Sequence, residues 1–311
     1  MYAEKWFSMP LWKLRIHAQL SQMKILGREI WRRAVEGEGW LELGARILRY
    51  VFLTLFAVVS WRFCIISSVY AWFRLADNLL DGDVRLQPGE SLESYASERS
   101  QTLKFFLSFD FSGARARQED ILLAYFVRET QGLSVFTKLC DQVKRLWSLM
   151  QSDALRRKTM PLVSRLELEE FDFEQDATIL RFCVMVLGGN EEQLQVIIEA
   201  LCGLFSKTDC FLDCFDDVQK VIIHIPKEVL EHHDISLKML RDCREEKELF
   251  ALPGIQEWRR EEGRRIQQQW LAAMRVVGGN FCSVFSNTAL TKTVQFVIYM
   301  RFHRSVLNLS V

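Results

Sequence analysis

Proline is scarce in this chain. Five occur in 311 residues, at positions 10, 88, 161, 226 and 253, and each falls at a plausible break. The long stretches between them carry apolar residues at helical rather than alternating spacing, which argues against a strand-rich fold. Net charge is also missing: 40 Lys and Arg balance 40 Asp and Glu, so the chain as a whole offers nothing to a nucleic acid. The eight cysteines form no CxxC pair. With no apolar leader followed by a small-residue cleavage site, they read as reduced thiols in a cytoplasmic protein. No repeat, low-complexity tract or Ser/Gly linker divides the sequence. One all-α domain is the economical reading.

Uninterrupted apolar runs are few. Tyr50 to Phe73 resembles a membrane span, but Arg62 sits at its middle and Arg74 and Asp77 follow at once. A charge at a bilayer centre is costly, so the segment is expected to be a buried helix. The Gly-Gly-Asn sequences at 188 and 278 follow no strand and do not read as nucleotide loops. No nucleophilic triad is apparent.

The apolar spacing predicts helices at roughly 11–35, 40–60, 62–81, 91–108, 117–150, 162–168, 176–188, 191–220, 236–248, 255–277 and 285–305. Residues 1–40 read as a basic, amphipathic N-terminal extension and 41–311 as the helical domain. In the segment 11–33, Leu11, Leu14, Leu20, Met23, Ile30 and Trp31 oppose the basic residues. Such a helix either contacts an anionic membrane peripherally or packs on the domain surface.

Against this background two acidic segments stand out. One is Arg74-Leu-Ala-Asp77-Asn-Leu-Leu-Asp81, and the other runs Asp209-Cys-Phe-Leu-Asp213-Cys-Phe-Asp-Asp217. Side chains four apart share one face of a helix, where like charges repel. Such pairs in apolar surroundings call for a compensating cation, and hard carboxylate oxygens suit Mg2+ bridged to phosphate groups. Cys210 and Cys214 fall beside this acidic stripe and read as small buried hydrophobes. Arg74 is either an ion-pair partner of Asp77 or a phosphate contact.

These residues resemble the motifs of the squalene/phytoene synthase family. Tyr70-Ala-Trp-Phe-Arg74-Leu-Ala-Asp77-Asn-Leu-Leu-Asp81-Gly82 is similar to the family's Y-A-W-C-R-x-x-D-x-x-x-D-G. Thr208 to Pro226 aligns without a gap to T-N-I-L-R-D-x-x-x-D followed by R-I-Y-L-P. Arg165-Leu-Glu167-Leu resembles R-M-D-L, and Phe182-Cys183-Val184-Met-Val-Leu-Gly188 resembles Y-C-Y-x-V-A-G. The likeness runs in pieces from about 48 to 240.

The resemblance implies an isoprenoid synthase fold, a large helical bundle around an apolar cavity. It implies a prenyltransferase that ionises allylic prenyl diphosphates and joins two of them head to head. Asp77, Asp81, Asp213 and Asp217 would then be catalytic, binding metal together with Asp209. Arg74, Tyr70, Phe73, Phe182 and His224 would contact substrate. Mg2+ would be the cofactor, with Mn2+ as an alternative, while NADPH use stays open. Departures accompany the match. The family's Asn is Asp209 here, its Arg is Leu212, its Gln is Ser206, and its tyrosines are Phe182, Val184 and His224. Two other readings therefore stand beside the first: a cyclase or other prenyl transfer at the same metal site, and an inactive relative that serves as a binding or assembly protein.

Overall fold

The computed structural model describes residues 2–35, 43–44, 47, 50–51, 60–110, 116–189 and 191–284. Among them every regular element is helical and no strand occurs. The expected helices at 40–60 and 285–305 lie largely or wholly outside the described residues. The chain divides into two compact units, 1–151 and 152–311.

The N-terminal unit contains α1 (Tyr2–Ser8), α2 (Leu11–Val35), α3 (Trp61–Leu80), α4 (Leu92–Ser108), a 3-10 turn at Gln118–Asp120, α5 (Ile121–Thr130) and the start of α6 (Phe136–Thr159). Its centre is α5. Every residue from Ile121 to Val127 is buried, so this short helix is apolar all round, as a central helix must be. Helices α1, α2, α3 and α4 all pack against it, and α2 also packs on α3. Each large side chain buried there contributes about 1.5–3 kcal/mol. A turn at 131–135 separates α5 from α6, where the spacing predicted one helix over 117–150.

The C-terminal unit contains the end of α6, then α7 (Arg165–Leu187), α8 (Glu191–Leu201), α9 (Leu204–Leu212), α10 (Cys214–Gln219), α11 (Lys227–His232), α12 (Leu237–Asp242), α13 (Glu246–Ala251) and α14 (Pro253–Val284). Helix α14 is the spine: α8, α9, α11 and α13 pack along it. Ser164 and Glu167 form a capping box that starts α7. Gly188, at φ 76°, stops it, and the Gly188 and Gly189 N–H groups close back on Met185 and Val184. That glycine pair is a helix terminator.

Three expectations change here, one of them the predicted helix 236–248, which is broken at 243–245 into α12 and α13. The predicted helices 162–168 and 176–188 are one continuous helix, and the predicted helix 191–220 is three. The first interruption of 191–220 is Gly203, whose φ of 81° lies in the left-handed region that favours glycine. The second is Asp213, at φ −90° and ψ 8°.

Candidate functional site

The first acidic segment is held by buried polar anchors on both sides. Trp72 donates its indole N–H to Asp120 at 2.9 Å, and the Arg99 guanidinium pairs with the same carboxylate at 2.8 Å. Asp120 is 0% exposed, so α3 is fixed by a fully desolvated ion pair. Phe73 is buried and packs edge-on against Trp72 at 5.1 Å. Tyr70 lies 6.4 Å from the Tyr50 ring.

On the other side stands Glu29 of α2, which is buried. It accepts hydrogen bonds from Arg32, from Arg74 at 3.0 Å and from the Asn78 amide at 2.9 Å. Arg32 also reaches Asp83, in the turn after α3, at 3.0 Å. Burial alone would raise the Glu29 pKa, but Arg74 and Arg32 outweigh it and hold the carboxyl at about 2. Arg74 donates its other nitrogen to Asp77 at 2.7 Å. Its guanidinium is thus bracketed by two carboxylates and stays charged despite burial. Both sequence readings of Arg74 meet here, and the ion pair with Asp77 is the contact formed.

Asp81 caps α3 and donates its N–H to the Asp77 carbonyl at 2.8 Å. The two acids are therefore one turn apart on a single face. Gly82, at φ 78°, then turns the chain away.

In the second segment the same spacing survives a break. Asp213 leaves helical geometry, yet its N–H bonds the Asp209 carbonyl at 2.8 Å, and the Asp217 N–H bonds the Asp213 carbonyl at 2.9 Å. The three acids are chained one turn apart although α9 and α10 are separate helices. Asp213 is exposed, while Asp209 and Asp217 are half-buried. Helix α9 is seated on α14: Trp270 donates to the Thr208 hydroxyl at 3.0 Å and stacks edge-on against Phe205.

The start of α9 has an unusual cap. Its N-cap residue, Gly203, has no side chain to satisfy the first N–H groups. Asp176, from the middle of α7, supplies the acceptor instead. It takes the Phe205 and Ser206 N–H groups and the Ser206 hydroxyl, the last at 2.7 Å. Burial raises the Asp176 pKa to about 6 against the pull of those donors. Asp172, one turn earlier, is pushed up to about 8 by burial and by Asp176, with Lys207 opposing.

Asp172 and Lys207 open onto a cleft in the same unit, together with Arg165, Cys210, His224 and Trp258. The cleft holds about 420 Å3 of empty space, part of it open to solvent. His224 stands with Nε2 3.5 Å from Asp217. Burial, reinforced by Arg157 and Arg156, lowers its pKa to about 4, so the ring is neutral at neutral pH. Phe182 is buried on α7. Glu167 serves the α7 cap and not Arg165, which pairs with Glu262 at 2.7 Å. Burial raises the Cys214 thiol to about 12 and lifts Cys210 as well, so both are protonated, unreactive thiols in this structure at neutral pH.

Among the described residues, no three His, Cys, Asp or Glu side chains gather into a metal cage. Spacing accounts for this. Residues one turn apart stand about 5–6 Å from one another, whereas Mg2+ binds oxygen at about 2.1 Å. A row of this kind fits an ion that takes one or two carboxylates and completes its shell with water and phosphate. The donor set suits Mg2+ in chemistry.

Glu29 and the Asp172–Asp176 pair escaped the sequence reading. A signal existed for Glu29, the single acidic residue of a 25-residue basic helix. The acidic run 167–176 gave only a charge-dense stretch.

Comparison with known proteins returns one informative likeness. A solved dehydrosqualene synthase, crystallised in complex with a ligand, superposes with a TM-score of 0.50 at 15% identity, over 72% of this chain and 69% of that one. No family model and no curated protein matches the chain. At that identity the likeness concerns architecture alone, and the fold is an all-α, isoprenoid synthase-type bundle.

Proposed function

We propose that the protein is a Mg2+-dependent prenyltransferase that ionises allylic prenyl diphosphates and condenses two of them head to head. The observation that carries this reading is the unbroken one-turn register of Asp209, Asp213 and Asp217 through a helix interruption, matched by Asp77 and Asp81. Asp77 and Asp81 of the first unit, and Asp209, Asp213 and Asp217 of the second, would be the residues that hold metal. When bound, Mg2+ would supply positive charge to offset the negative charge that develops on the departing diphosphate. Arg74 orients the Asp77 carboxylate, and its positive charge lies next to that ligand as a diphosphate contact. Tyr70, Phe73 and Phe182 line or support apolar walls that keep water from a carbocation, whose charge aromatic faces stabilise. Neutral His224, beside Asp217, is suited to accept or relay a proton and not to pair with phosphate as a cation.

The bracketing of Arg74 favours a second reading. Its guanidinium is occupied by Glu29 and Asp77, as in a protein that keeps the motif for structure and serves as a binding or assembly factor.

One experiment separates the two. The purified protein is incubated with farnesyl or geranylgeranyl diphosphate and Mg2+, diphosphate release is measured, and the hydrocarbon is identified. A head-to-head dimer supports the first reading, and a monomeric cyclic product replaces condensation by cyclisation. Absence of release at either chain length, with Mg2+ or Mn2+, overturns catalysis and leaves the second.

A further inference from the structure

Helix α2 has two apolar faces, and only one of them is used by the fold. Leu14, Ala18, Gln22, Leu26 and Glu29 are buried toward the N-terminal unit. The apolar set named from sequence mixed the two faces, since Leu14 points in while Leu20, Met23 and Trp31 point out. The outward set is Trp12, Ile16, Leu20, Met23 and Trp31, at 62%, 47%, 58%, 52% and 73% exposure. At about 100° per residue they fall within one arc of about 100°. Trp12 and Trp31 stand near its two ends. Five large side chains aligned on one exposed face form a patch, unlike scattered surface apolar residues.

The flank of this stripe fixes its partner. Lys13, His17, Lys24 and Arg28, all exposed, occupy the adjoining arc of about 60°. The helix has one acidic residue, Glu29, and that carboxylate is turned inward and neutralised by arginines. The outer face is therefore apolar along the middle and purely cationic along one edge. Pairing with a second copy would lay stripe on stripe and leave both cationic edges uncompensated. An anionic bilayer surface instead takes the apolar row below the headgroups and neutralises the edge. Tryptophan at each end suits the water–lipid boundary.

We infer that the outer face of α2 is a docking surface for anionic lipid membranes, with the helix lying in the plane of the interface while its inner face stays packed on the N-terminal unit. The contact inferred is peripheral, and no helix among the described residues is long and apolar enough to cross a membrane. This inference stands independently of the proposed reaction.

The test is sedimentation of the full chain with vesicles of phosphatidylcholine, with and without phosphatidylglycerol. Binding is expected to need the anionic lipid and to fall at least about tenfold between about 0.1 M and about 0.5 M salt. Trp12→Ser with Leu20→Ser and Trp31→Ser should weaken it by about tenfold or more. Lys13→Glu with Lys24→Glu and Arg28→Glu should do the same by about 100-fold. Circular dichroism and thermal melting keep the variants interpretable, since all six positions are exposed. Equal binding to neutral vesicles, or undiminished binding by the folded variants, overturns the inference. So does failure to bind vesicles combined with a concentration-dependent dimer that the serine variant abolishes, because the face then belongs to a second copy.

Discussion

Glu29 of α2 accepts a 3.0 Å hydrogen bond from Arg74 of α3, a buried carboxylate reaching across 45 residues of chain to the arginine of the first acidic segment. The same carboxylate takes Asn78, which lies between Asp77 and Asp81. The basic N-terminal helix is thereby part of the framework that sets the first acidic segment.

Replacing Glu29 by Gln should therefore be costly. The half-buried Arg74 guanidinium keeps Asp77 but loses the buried Glu29 carboxylate, a charged hydrogen-bond partner whose removal destabilises by about 2 kcal/mol. Urea unfolding at pH 7 should show that loss. The Glu29 pKa is depressed in the folded state, so its contribution is present above its ordinary value of 4.5 and fades as pH falls toward about 2. The difference between wild type and E29Q should shrink across that window. A gap that stays constant down to the lower end would contradict the ion-pair account.

Asp77→Ala and Asp213→Ala address the proposed chemistry. Each should cut diphosphate release by about 100-fold or more, the scale of losing a preorganised electrostatic group. Asp213 is exposed, so its removal should leave the melting temperature nearly unchanged. Unaltered turnover in either variant would remove that residue from the metal set.

The cap of α9 offers a purely structural test. Asp176→Ala leaves the Phe205 and Ser206 N–H groups without their acceptor and should cost about 1–2 kcal/mol. Hydrogen exchange should accelerate through residues 204–212, with α4 of the other unit unaffected. Ser206→Ala removes one of the three hydrogen bonds to the carboxylate and should cost less.

Asp172 predicts an alkaline effect of opposite sign to that of Glu29. Its folded pKa, about 8, lies above its ordinary 3.8, so the folded state binds the extra proton and stability declines as pH rises through that interval. Asp172→Asn lacks this slope. At pH 9 the variant should be more stable than wild type by several kcal/mol, with about 6 kcal/mol the ceiling for a shift of this size, and near pH 4 the two should coincide. Equal stability of the two proteins at both pH values would show that Asp172 ionises freely.

Much of the fold was legible in the sequence where one helical face is apolar and a cap marks the end. Helix 11–35 was read to the residue, and 61–80 and 92–108 to within one. The misreadings have tertiary causes. Residues 169–175 fell between two predicted helices, yet α7 runs straight through them, with Asp172 and Asp176 buried and Asp176 set onto the donors of α9. Gly203 fell inside one long predicted helix, 191–220. Its positive φ makes it a corner. The acidic pairs were readable because a four-residue period survives local irregularity. Glu29, 45 residues from its partner, has no local pattern to betray it.

The ties of α3 also bear on how the protein is made. Its side chains reach partners 45, 49 and 48 positions away, upstream to Glu29 and downstream to Asp120, with Arg32 and Asp83 51 apart. Each such closure costs chain entropy before it returns any bonding. During synthesis, α3 emerges with Glu29 already outside the ribosome but without Asp120. Its arginine can be neutralised at once, whereas its tryptophan must wait for some fifty further residues to be translated. The first acidic segment is thus set in two stages.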